Sequence, residues 1–307
     1  MSNQPIDSNR QKSILPNQLV SPTAIGITIS AAVNCRQPVD IPQYTTLNEV
    51  FNILADESIG KKQGKDFGLL YFGVGIGGSR SIGTDSWGLE DRKVNQHKAT
   101  DFNAFRGIPM VARELSNDLD PVERDNYRIR TVQKIGDKFY ALYYLKLINF
   151  DSFNPSMTVG TRDPITGNET SYPYEPKKED LNPVPFQLTV QDSIPLSNTY
   201  VHGTGKMDLS LNVDDLNEIR NACRILYGNA NKAAINEWYV CYGIETKRDG
   251  EIGEGGTVVY KELQSACVAF NITEAWARDA NANTKMPSFF HYGNSLPLLV
   301  NNDIIGS

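Results

Sequence analysis

The stretch Tyr127-Arg128-Ile129-Arg130-Thr131-Val132-Gln133-Lys134-Ile135-Gly136-Asp137-Lys138-Phe139-Tyr140-Ala141-Leu142-Tyr143-Tyr144-Leu145 decides the fold class. Two runs of aromatic and β-branched residues flank Gly136-Asp137, so 127–135 and 138–150 read as a β-hairpin. Alternation sets Phe139, Ala141, Tyr143 and Leu145 on one face of the second strand and Tyr140, Leu142, Tyr144 and Lys146 on the other. Both faces are largely apolar, which a half-exposed sheet does not tolerate. A second cover is therefore expected, from the 186–213 strands or from a neighbouring subunit. Period-two spacing also puts Arg128 and Arg130 on a common face. Arg128, Arg130, Tyr140, Tyr143 and Tyr144 are the candidate interface residues, because exposed arginines beside tyrosines are typical interface material. The alternative for the two arginines is pairing with acidic residues of the same chain.

Working upstream, Pro121 after Asp120 starts a helical turn over 121–126. The segment 108–115 reads as a strand and 67–74 as a buried one. Thr46-Leu47-Asn48-Glu49 is a capping box, predicting a helix with Leu47, Val50, Phe51 and Leu54 on one face. The segment 24–33 alternates well enough for a strand. Residues 1–23 are rich in Gln, Asn, Ser and Pro, and two readings stand: a disordered tail, or an arm that orders against a neighbour through Ile14, Leu15, Leu19 and Val20.

Downstream, six prolines between 151 and 186 predict a long loop, with room for a small hairpin at Thr166-Gly167-Asn168. Strands are expected at 186–191 and 206–213. A second helix, capped by Asp214-Asp215, spans 215–227 with Leu216, Ile219, Cys223 and Leu226 at helical spacing and Gly228 as its stop. The runs 235–246 and 257–272 read as a wide-looped hairpin, although Glu262, Leu263, Gln264 and Ala266 would also suit a helix. The last twenty or so residues hold strand-like segments. The expected fold is α+β, mainly antiparallel β, with two principal helices and a long Pro-rich loop. An N-terminal arm, 1–23, precedes a single domain, 24–307, with a subdivision near 151–186 left open.

With 307 residues, 40% hydrophobic and 21% charged, the chain has ordinary globular composition and length for about two domains. A net charge of −6 and a pI near 5.2 argue against a nucleic-acid surface, which needs clustered Lys and Arg. Lys61-Lys62 with Lys65 is the one basic cluster, read as a solvated loop. The first residues lack a secretory pattern, and no apolar stretch approaches the roughly 20 residues of a membrane span. Cys35, Cys223, Cys241 and Cys267 are scattered; three of them lie in apolar segments, and structural-core cysteine rather than a disulfide framework is the reading.

Chemistry is sparse. Gly73-Val74-Gly75-Ile76-Gly77-Gly78 matches a dinucleotide-binding pattern and follows a strand, but no helix signal follows it. A glycine turn permitting close backbone approach is the better reading. His97, His202 and His291 lack metal-ligand spacing; His97 opens a turn built by Thr100 and Asp101. Asp118 with Asp120, Glu90-Asp91 and Asp214-Asp215 sit at turns or helix starts, which explains them without a glycosidase cleft. There is no G-x-S-x-G elbow. Tyr143-Tyr144 and Trp238-Tyr239 could form a sugar-stacking platform, but alternation sends one of each pair to the core. No catalytic residue, cofactor or metal is expected.

The order Gly75-Ile76-Gly77-Gly78, His97-Lys98-Ala99-Thr100-Asp101, Asn117-Asp118-Leu119, Tyr127-Arg128-Ile129-Arg130 and Tyr143-Tyr144-Leu145-Lys146 resembles virion structural proteins of large tailed bacteriophages. Leu181-Asn182-Pro183, Leu226-Tyr227-Gly228 and Glu237 leading to Cys241-Tyr242-Gly243 extend the likeness, which spans about 70–245. The family pattern reads Gly-Asn-Gly-Gly-His where this chain has Gly75-Ile76-Gly77-Gly78-Ser79, so a role for that Asn or His does not carry over. The resemblance implies a non-enzymatic subunit of the tail, baseplate or neck. Its partners would be other virion proteins and copies of itself, with no membrane and no direct nucleic-acid role. The expected location is the virion after synthesis in the host cytoplasm. The rival readings are a tail-tip receptor- or glycan-binding module and, more weakly, an unrecognised hydrolase.

Overall fold

In a computed structural model, the 127–150 hairpin takes its place inside a large antiparallel sheet. The structure describes residues 18–53, 59–84, 86–162, 169–183, 199–253, 256–280 and 284–297. The elements in chain order begin with β1 (Gln18–Pro22), α1 (Ala24–Cys35), β2 (Pro38–Asp40), α2 (Leu47–Val50), β3 (Lys61–Gln63), β4 (Gly68–Gly75), β5 (Ser79–Thr84) and β6 (Glu90–Val94). Next come β7 (Gly107–Ile108), β8 (Val111–Glu114), α3 (Pro121–Arg124), β9 (Tyr127–Ile135) and β10 (Lys138–Leu147). The remainder is β11 (Ser156–Arg162), β12 (Glu169–Pro173), β13 (Thr199–Asp208), α4 (Val213–Tyr227), β14 (Ala234–Gly253), β15 (Gly256–Asp279) and β16 (Phe289–Pro297). The fold is α+β, mainly antiparallel β, with two long helices.

The chain divides into two units, Met1–Ile148 with Leu211–Met286, and Asn149–Ser210 with Pro287–Ser307. In the first, the sheet runs β1-β15-β14-β4-β10-β8, with β7 on β4 and β9 on β10. The long β14–β15 hairpin is its spine and excludes the helical alternative for 257–272. Trp238 to Ile244 are buried without a break, because both faces of this hairpin are covered. Tyr242, Ile244, Cys267 and Ala269 pack under α1 through Ile25, Ile29 and Ala32. The alternate residues Tyr239, Cys241, Ala266 and Val268 join Leu47, Tyr71, Ile129 and Leu145.

Two helix assignments change. The expected strand at 24–33 is α1. Thr23 caps it by accepting from the Gly26 N–H at 3.0 Å, and Arg36 ends it in the left-handed region. The residues that pack are 25, 29 and 32, a helical spacing, while Ile27 of the apparent alternation is exposed. Gly26 is required by the close approach to β15: a Cβ there would lie 2.6 Å from the Ala269 Cα. Conversely, the expected capping box at Thr46 is only half formed: Thr46 accepts from the Glu49 N–H, but its own N–H goes to the Gln43 carbonyl, and α2 is a single turn; Leu54 lies outside the described residues. The second long helix, α4, starts earlier than expected, because Asn212 is its N-cap and Asp215 completes a capping box. The 108–115 segment is split between β7 and β8, Lys61-Lys62 lies in β3 rather than in a loop, and 206–213 is shared between β13 and the start of α4.

The N-terminal boundary also moves. Residues 18–22 are β1, paired antiparallel with 270–274 of β15 in the same chain, so the domain begins before residue 24; residues 1–17 lie outside the described ones. The second unit is a sheet of order β12-β11-β13-β16. Its first two strands occupy part of the expected Pro-rich loop, paired through residues 158–162 and 169–173. The expected turn at 166–168 and strand at 186–191 lie outside the described residues.

Candidate functional site

The second apolar face of β10 is covered from within the chain. Leu142 and Ala112 of β8 pack against Ala222 of α4, with Tyr140, Tyr144, Ile225 and Leu226 around them. The cover is thus neither the 186–213 strands nor a neighbouring subunit, and this face gives no physical reason for an interface.

The candidate interface residues are largely internal. Arg128 is 1% exposed. Its guanidinium bonds Glu245 at 2.6 Å and the Asp125 and Tyr127 carbonyl oxygens at 2.7 and 2.9 Å. Arg130 donates twice to one Asp118 carboxylate oxygen, at 2.9 and 2.6 Å, and the Tyr143 hydroxyl donates to the other at 2.8 Å. Tyr143 is fully buried, while Tyr140 and Tyr144 are half-buried; Tyr144 packs on Phe51 with ring centroids 4.1 Å apart. The pairing alternative for the arginines is the one observed. Burial pushes the Tyr143 hydroxyl well above its ordinary value and the Tyr144 hydroxyl up to about 12.

Between the two arginines, Ile129 has φ +57°, a rare conformation for a β-branched residue. A carboxylate explains it. The N–H groups of Ile129 and Arg130 both point at Glu262, at 3.0 and 3.2 Å, and the Leu263 N–H adds a third bond at 2.8 Å. Two successive N–H groups around a left-handed residue form a nest for an anion. The nest costs about 1–3 kcal/mol of backbone strain and places Ile129 in the core.

A second buried carboxylate gathers the glycine and histidine motifs. Glu237, fully buried on β14, accepts from the Phe105 N–H at 2.7 Å, Arg106 N–H at 3.2 Å and Gly77 N–H at 3.3 Å. It also lies 3.0 Å from His97 Nε2. The His97 ring stacks on Phe105, and its Nδ1 stands 3.3 Å from Asp101; that separation satisfies an ion pair but lacks hydrogen-bond alignment. Asn236 and Asn95 complete the latch: Asn236 Oδ1 accepts from the Gly78 N–H and Asn95 Nδ2 donates to the Gly77 carbonyl, both at 2.8 Å. Gly78 permits this approach, since a Cβ there would overlap the Asn236 carbonyl oxygen. The chain after the glycine turn is a strand, β5, so no helix N-terminus faces the turn. Ser79 accepts from Asn236 Nδ2 at 2.9 Å.

These carboxylates have their lone pairs occupied by fixed N–H donors. Three of the four thiols are equally withdrawn: burial pushes Cys223 up to about 11, Cys267 to about 12 and Cys241 well above the usual range, the opposite of an activated nucleophile, while Cys35 is exposed at the end of α1. Among the described residues no group of three His, Cys, Asp or Glu side chains is arranged to hold a metal ion, and no helix is long and apolar enough to cross a membrane. Sequence reasoning overlooked Glu237 and Glu262 as organising residues. The available signal was a carboxylate directly beside core-type residues in each of two long strands, Glu237 before Trp238-Tyr239-Val240 and Glu262 before Leu263.

Several large apolar side chains are nevertheless exposed. The β5–β6 hairpin exposes Ile82, Trp87 and Leu89, with Trp87 86% accessible. Fold and interior together define an antiparallel α+β scaffold whose buried acids bind its own backbone. The chain belongs to a family of unknown function (DUF7208), whose pattern matches residues 9–307. No curated protein and no solved structure matches it.

Proposed function

We propose that this protein is a non-enzymatic structural subunit of a tailed-phage virion, in the tail, baseplate or neck, acting through protein–protein assembly. The observation that carries the reading is the allocation of chemistry. The motifs shared with phage virion proteins, Gly75–Gly78, His97–Asp101, Asp118 and Arg128–Arg130, meet in buried latches that hold loops. Large apolar side chains stand out at the periphery instead: Trp87, Leu89, Val122 and Trp276. A subunit that must present rigid loops to neighbours needs this division, because association rewards preorganised surfaces.

The test is particle composition. Antibody raised against the chain should label purified virions at a fixed position in electron micrographs, and disruption of its gene should give particles lacking a discrete substructure. Normal, infectious particles without the chain would refute the reading. Exposed Trp87 also favours the rival binding module; saturable glycan binding abolished by Trp87→Ala, with particle assembly intact, would establish that instead.

A further inference from the structure

A cleft of about 280 Å³ lies where α3 meets the β14–β15 hairpin, lined by Pro121, Arg124, Asp125, Lys247, Val259, Tyr260 and Lys261. Lys247 and Lys261 are directly opposite each other across the ladder, an arrangement that repels unless something anionic lies between. Lys261 bonds Asp125 at 3.1 Å, but Asp125 also stands 3.7 Å from Arg128. Arg128 in turn shares Glu245, which is thereby occupied. No described carboxylate pairs with Lys247. The Arg124 guanidinium carbon lies over the Tyr260 ring, 3.5 Å from its centroid, which holds its charge at the cleft wall. Three cations thus converge in a chain whose net charge is −6. They are brought together from three separate segments by the fold.

We propose that this cleft binds an acidic polypeptide segment, seating a carboxylate between Lys247 and Lys261 with an apolar neighbour against Pro121 and Val259. The size suits one or two side chains rather than a tract of phosphates. Arg124 also occupies the Tyr260 face on which a base would stack. The site is independent of the virion reading, since an acidic segment of any partner would fit it.

The test uses the full chain and a short fluorescent peptide alternating Glu and Leu, with a Gln/Leu peptide, inorganic phosphate and a single-stranded oligonucleotide as competitors. Saturable binding of the Glu/Leu peptide that weakens with salt is expected. Lys247→Glu should reduce affinity at least about tenfold, or about 1.4 kcal/mol, while Lys232→Glu, exposed elsewhere, should not. Melting provides a control that the variant folds: Lys247→Glu opposite Lys261 replaces repulsion with attraction and should raise Tm. Equal binding by wild type and Lys247→Glu would overturn the proposal. So would equal binding of the Gln/Leu peptide, or displacement by oligonucleotide or phosphate at lower concentration than by the acidic peptide.

Discussion

Removing the Glu237 carboxylate should loosen the turn and loop it holds without disturbing the sheet. Its Oε1 serves the Phe105 N–H and His97, and its Oε2 the Gly77 and Arg106 N–H groups. Glu237→Ala leaves all four without an acceptor. Each unmade bond costs about 1–3 kcal/mol when water cannot substitute, and the Phe105 and Arg106 amides are only partly buried. A loss of about 3–5 kcal/mol follows, once water takes up part of the cost at the two partly buried amides. Glu237→Gln keeps one oxygen but turns an NH2 toward two donors, so about half that loss is expected. At about 2–4 °C per kcal/mol for a unit of this size, Glu237→Ala should lower Tm by roughly 10 °C. Denaturant unfolding gives the energies, and hydrogen exchange should show the Gly77, Phe105 and Arg106 amides losing protection before the β14–β15 ladder does. If Glu237→Gln matches the wild type within about 0.5 kcal/mol, the carboxylate is not the organising group and the account of this latch fails.

Glu262→Ala should cost about 1–3 kcal/mol for each N–H group it orphans, at Ile129, Arg130 and Leu263, and Ile129 amide exchange measured by NMR should accelerate; unchanged exchange would show that the left-handed turn holds itself. Leu142→Ala should cost about 2–5 kcal/mol, and exchange across β10 should be slow in the isolated chain, because α4 supplies the cover; protection found only in an assembly would contradict this. At Glu245, desolvation raises the carboxyl pKa, but hydrogen bonds from Tyr71 and Arg128, with the Arg128 charge, outweigh it and leave it below its ordinary value. Its stabilisation is therefore present above the unfolded pKa near ~4.3 and lost as pH falls through the lower folded value. Glu245→Gln should flatten the acid limb of a stability–pH curve, and an identical limb would sink the assignment. Burial raises Tyr71, Tyr127, Tyr143 and Tyr239, so the stability they contribute is complete below about pH 10 and declines above it. Phenolate absorbance should accordingly rise together with unfolding; full tyrosine titration in a still-folded chain would refute their burial.

The 127–135 and 138–147 hairpin and the helix ending at Gly228 are legible in the linear chain because their signals are local. Gly136-Asp137 supplies the turn, strand-forming residues flank it, and Gly228 marks the end of α4 beside its apolar stripe, although the sequence reading places its start at Asp214-Asp215 where the structure has Asn212 as the cap. Ala24–Cys35 was not legible. Ile25, Ile27 and Ile29 satisfy a period of two, while 25, 29 and 32 satisfy a helix, and only the packing of Gly26 against Ala269 selects between them. The same limit governed the polar interior. Arg128 and Arg130 look like surface residues because the groups that bury and bind them come from elsewhere, with Glu245 117 residues away in sequence. Glu262 reaches the Ile129 amide across 133 residues. A carboxylate in an apolar strand announces that a partner must exist, since isolated buried charge is too costly. Which backbone groups satisfy it depends on chain crossings that no short window contains, so secondary structure could be read locally while the latches, and the cover over β10, arose from topology.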